Sequence, residues 1–156
     1  MNNLIIRYIS DFANVYDGDP WYGRSVMSVL RDVDPETVFR RPGNGVHSIY
    51  EITKHMLAWR QLLVKRLNGD TGSKISMNSA EDWSEIPGGD PATAWKKILR
   101  EMEANQAALA EALSKWKDEA LDQPFCNTPY SLRIFLDGHL QHDIYHTGQV
   151  AWIMKV

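Results

Sequence analysis

Three of the chain's five histidines, His139, His142 and His146, fall within eight consecutive residues. Their spacing is i, i+3 and i+7, which places all three imidazoles on one side of an α-helix. A fourth, His55, lies far upstream in another segment of helical pattern. Two facing helices, one giving a single histidine and the other a pair, are a common way for a helical bundle to build a metal site. Neutral imidazole suits late first-row divalent ions such as Zn, Ni or Fe and does not choose among them. Three protein nitrogens leave a coordination position open, as catalytic sites do and closed structural sites do not. The i, i+4 pair alone is a weak signal, since same-face histidines also arise as ordinary packing residues.

A helical wheel at ~100° per residue sharpens the reading of this stretch. Taking His142 as origin, His146 lies at about 40°, Gln149 at about −20°, His139 at about 60° and Tyr145 at about −60°. Gln149 and Tyr145 are therefore candidates for the polar lining of a catalytic pocket. Asp143, at about 100°, points away from the pair and fits surface or outer hydrogen bonding rather than ligation. His139 either packs beside the site or pairs with Asp143 at i+4, or it serves as a proton relay or an occasional ligand. His47 reads as a loop-to-helix packing residue. Glu51 is the carboxylate one turn before His55 and a candidate base, with a helix-capping duty as the simpler account. Cys126 sits in a connector with no histidine or basic neighbour in sequence, a poor setting for a nucleophile. Trp59 and Trp152 read as core residues that also suit a pocket wall, and Gly148 implies a close helix contact, given its cost within a helix.

The elements that must position these groups are helical throughout. Leu4, Tyr8, Phe12 and Val15 recur at helical spacing over 3–16. Asp17-Gly18-Asp19-Pro20 then interrupts the pattern. Asp19-Pro20 reads as an N-cap and first-turn pair for a second stretch over 20–33. Residues 34–47 read as loop. Ser48-Ile-Tyr-Glu51 has the form of a capping box and opens a helix to Leu67, with Ile49, Ile52, Met56, Leu63 and Leu67 as its apolar stripe. Residues 70–90 lack periodicity, and a connection this long inside one domain is often functional. Pro91–Trp116 carries the clearest apolar seam, interrupted by Asn105. Ser131 caps a last helix running to about Lys155. The expectation is an all-α fold: one domain over 1–156, four main helices in a bundle, the first broken near 17–20.

Composition bounds the partners. The chain has 156 residues, 44% hydrophobic and 24% charged, with a net charge of −3 and six tryptophans. No basic cluster exceeds a pair, which argues against nucleic acid as a partner. One cysteine precludes an internal disulfide and fits a reducing cytoplasm. No segment approaches the ~20 apolar residues of a membrane span, and the N-terminus lacks the layout of a signal peptide.

Two blocks, HSIYEITKHMLAWR and GHLQHDIYHTGQVAWIMK, together with DPWYGRSVMSVL and FRRPGNGVHSI, resemble the DinB family of metal-binding four-helix-bundle proteins. The resemblance implies an up-down-down-up bundle and, by matching positions, His55, His142 and His146 as ligands of a divalent metal. It further implies a metal-dependent enzyme. Thiol transfer of the bacillithiol or glutathione type to an electrophile is preferred over hydrolysis. A non-enzymatic, stress-linked metal-binding bundle is the reading of another class, and a plain helical scaffold is the third. Homodimers are also suggested by analogy.

Overall fold

The computed structural model describes residues 3–156. Five helices follow one another: α1 (Asn3–Asp17), α2 (Val26–Leu30), α3 (Ile49–Leu67), α4 (Pro91–Ser114) and α5 (Leu132–Ile153). Among the described residues there is no strand. The only ladder pairing among them is an isolated bridge between Pro124 and Ser131. The fold is all-α, as expected, with four long helices.

The helix starts obey local chemistry. Ser48 accepts from the Glu51 amide while Glu51 accepts from the Ser48 amide, so the capping box is complete. Asp90 accepts from the Thr93 amide at 2.7 Å with Pro91 in the first turn, and Ser131 accepts from the Ile134 amide. The expected helix over 20–33 shrinks to Val26–Leu30. The amide of Asp19 donates to Asn14 Oδ1 at 3.0 Å, finishing α1 rather than starting a new helix. Gly23, at φ 136°, then holds a conformation no right-handed helix contains.

Two apolar clusters fix the helix directions. One end of the bundle collects Val15, Ile52, Met56, Ile98, Met102, Val150 and Ile153. The other collects Ile5, Phe12, Leu63, Leu67, Leu109, Leu113, Leu132 and Leu136. Following each helix from one cluster to the other gives α1 up, α3 down, α4 down and α5 up. Side chains confirm that α3 and α4 run in parallel: Lys54 meets Glu101 at 3.2 Å, Arg60 meets Asn105 at 3.3 Å, and Trp116 Nε1 donates to the Leu67 carbonyl at 3.0 Å. Parallel neighbours cannot be joined by a tight turn. The chain must climb back along α3, about 28 Å at ~1.5 Å per residue. That return run is the aperiodic stretch after Leu67, and its path carries it across the histidines.

Candidate metal centre

His55 comes from α3, and His142 and His146 from α5, which runs antiparallel to it. Each offers a ring nitrogen, and the three lie within 4.8 Å of one another. The ring centroids are 4.4–4.9 Å apart. His55 and His146 are buried and His142 is half-buried.

Neighbouring acceptors settle the tautomers of two rings. His55 Nδ1 stands 3.0 Å from the carbonyl and 2.9 Å from the carboxylate Oδ1 of Asp82. Both oxygens only accept, so Nδ1 carries the proton and Nε2 presents a lone pair. His146 Nδ1 donates to Gln149 Oε1 at 2.6 Å, and Gln149 Nε2 donates to the Tyr145 hydroxyl at 3.2 Å. His142 Nε2 stands 2.9 Å from His55 Nε2, and its buried Nδ1 has no partner. Three imidazoles thus converge with more lone pairs than protons, a place suited to a cation. The 2.9 Å gap is less than twice a Zn–N bond of about 2.0–2.1 Å, so both nitrogens can reach one ion.

Burial keeps these rings neutral. Desolvation, helped by the neighbouring imidazoles, pushes His142 down to about 3. Desolvation likewise brings His146 to about 4, outweighing the Gln149 bond that opposes it, and it also lowers His55. Neutral imidazole is the form that ligates metals.

The connector supplies what the spacing of the histidines does not announce. Asp82 is only 4% exposed. Its Oδ1 accepts from His55 and, at 2.8 Å, from Trp59 Nε1, and its Oδ2 accepts from the Asn78 amide at 2.8 Å. A carboxylate behind a histidine is a recurring partner in metal sites, because it fixes the ring and raises its basicity. Next to it, Trp83 stacks on His55 at 4.1 Å between centroids, and His47 stacks on the other face of Trp83 at 3.6 Å. His47 is therefore part of the site's wall and not merely a packing residue at the helix entry. The only sequence signal for Asp82 and Trp83 is a carboxylate beside an aromatic in an otherwise polar loop.

Tyr145 and Gln149 both line the cleft above the histidines. His139 lies beside the triad without joining it, because its ring nitrogens face the carbonyls of Phe135 at 2.8 Å and Trp59 at 3.2 Å. Those carbonyls, rather than Asp143, hold it. Asp143 is fully buried and pairs with Arg60, inside the bundle and not at its surface. Burial raises the Glu51 carboxyl, but Arg41 and Ser48 outweigh it and hold the group at about 2. Engaged by both, Glu51 is a cap and not a base. Cys126 lines a separate depression, its thiol pushed up by burial. Trp59 and Trp152 both line the cleft, and Trp152 is 60% exposed, so it is no core residue. Gly148 makes no close helix contact: a Cβ there would meet nothing within 4 Å.

No helix of the described residues is long and apolar enough to cross a membrane. No curated protein and no solved structure matches the chain significantly. A family model does, over residues 23–150, a span that takes in the return connector and all three histidines. With the bundle topology and the three-histidine cluster alongside that match, the chain belongs to the DinB superfamily.

Proposed function

We propose that His55, His142 and His146 hold one divalent transition ion and that the site transfers a low-molecular-weight thiol to an electrophile. The observation that carries this reading is the convergence of three neutral ring nitrogens at the floor of an open cleft. The chemistry such an ion supplies is Lewis acidity, which lowers the pKa of a thiol or water bound to it. The chain's own residues do the rest. Asp82 and Gln149 hold the Nδ1 protons of His55 and His146, so the opposite nitrogens stay free. The Tyr145 hydroxyl accepts from Gln149, which leaves its own proton to donate toward a guest in the cleft. In the transfer the thiol gives up its proton to solvent water, its sulfur bonds to the electrophilic carbon, and the leaving group departs with the bonding pair. We propose further that 1–156 acts as one domain in a reducing cytoplasm.

Hydrolysis is the second reading, favoured by the same open position, with water in place of the thiol. The test is elemental analysis of the purified protein, followed by conjugation assays pairing bacillithiol or glutathione with monochlorobimane. The expected result is about one ion per chain, lost in His142→Ala, and conjugation that needs the ion. Metal without conjugation, but with ester or amide cleavage, would move the assignment to hydrolysis. Metal with neither activity would favour a binding module.

A further inference from the structure

The cleft above the histidines has a volume of about 1150 Å³. Its rim gathers side chains that folding normally hides: Val46, Met77, Tyr130, Ile134, Tyr145 and Trp152 are all exposed, and all line it. Apolar groups scattered singly over a surface need no explanation, but a set gathered around one concavity marks a binding surface. Deeper in, the Trp59 ring lies 6.1 Å from His142 and the Trp83 ring 6.3 Å from His146, centroid to centroid.

Charge is distributed just as unevenly. Among the described residues that line the cleft, none is a lysine or an arginine. Its one carboxylate, Asp82, is committed to His55, Trp59 and Asn78. Along these walls a charged group would lose its water and find no lysine or arginine, and the ion proposed at the floor would be taken up by the thiol, so its burial is costly. A flat macromolecular face could cover the rim but could not reach the floor where the nitrogens converge.

From this we infer that the cleft binds an uncharged, largely aromatic or aliphatic small molecule and discriminates against carboxylated ones. The inference rests on the proposed reaction only in naming that guest as the electrophile. A thiol of the glutathione type then keeps its carboxylates outside and extends only its sulfur toward the histidines.

The test is a titration of tryptophan fluorescence in the full chain, stripped of metal, near neutral pH. The probes are naphthalene-1-acetamide and naphthalene-1-acetate, alike in shape and different in charge. The amide is expected to bind at least about tenfold more tightly, and Trp152→Ala to weaken it several-fold. Equal affinities, tighter binding of the acetate, or no saturable quenching by either would overturn the inference. So would light scattering that shows a dimer dissociated by Trp152→Ala, which would assign the rim to a second copy. Conjugation by the metal-loaded protein is scored separately. Amide binding without conjugation removes the thiol-transfer reading and leaves the cleft's selectivity standing.

Discussion

His142 and Asp143 are adjacent on α5, yet their side chains enter two different polar regions. Asp143 joins Arg60 of α3, whose guanidinium also reaches Asn105 and Gln106 of α4. Arg60 and Asp143 are 1% and 0% exposed, and neither lines the cleft. His142 meets His55 and His146 at the cleft floor. Both regions leave one buried atom without a partner, Asp143 Oδ1 in the first and His142 Nδ1 in the second. An orphaned polar atom is therefore not what separates a functional cluster from a structural one. The difference is access. In the arginine network the charged pair is closed off from solvent, whereas the histidines share one wall with solvent-reachable space and remain neutral within it.

If the first region only ties helices together, breaking it should cost stability and spare the site. Asp143→Ala leaves the Arg60 charge buried beside two neutral amides. The expected loss is about 3–5 kcal/mol, read by denaturant unfolding of the metal-free chain, with metal stoichiometry unchanged wherever the variant is folded. Arg60→Met with Asp143→Leu removes both charges, and it should recover much of that loss. Loss of metal binding by the folded double variant would break the comparison, since the two regions would then be one.

Acid should strike the second region first. The unfolded chain's histidines take up protons near pH 6.5, while His146 in the fold holds out to about 4 and His142 to about 3. Between those values the unfolded state binds more protons, so stability of the metal-free protein falls as pH falls. For His146 alone the loss between pH 7 and pH 4.5 is about 2 kcal/mol. Thermal melts across that range check it. A flat profile would mean that the rings already titrate normally in the fold.

A narrower cut tests what the connector contributes. Asp82→Ala removes the carboxylate from His55, Trp59 and the Asn78 amide but keeps the backbone carbonyl near His55 Nδ1. Metal affinity is expected to fall about ten- to a hundredfold, measured by competition with a chromophoric chelator. Unchanged affinity would show that the carbonyl alone orients the ring.

These regions were unequally legible in the sequence. The histidine face of α5 and its partner on α3 follow from helical periodicity, because both elements are long and regular. Asn105 showed as a polar break in the α4 seam, but the group it serves, Arg60, looks like any charged helix residue until three helices close around it. The wheel turned Asp143 away from the metal and could not say that the other side was core. Asp82, Trp83 and the role of His47 depend on the path of the connector. That path is dictated by α3 and α4 running in parallel, a tertiary fact with no local period. Asp19-Pro20 misled for the converse reason, a sound local signal overruled by Asn14 and Gly23.

The smallest effect concerns Gly148, which lines the cleft two residues past His146. Were it needed for close packing, alanine there would drive a methyl into a neighbour. Apart from the adjoining residues and the helix's own backbone, nothing lies within 4 Å of that methyl's place, and the residue sits in mid-helix, where glycine costs about 0.5–1 kcal/mol against alanine. Gly148→Ala is therefore expected to stabilise the protein by about that much. For a chain of this size the gain is a rise in melting temperature of roughly 1–4 °C. Metal affinity should not change, since the methyl touches no ligand. A fall in melting temperature would mean that the helix has less room there than the open flank provides. Slowed conjugation in a more stable, fully metallated protein would place Gly148 on the route by which the electrophile reaches the floor.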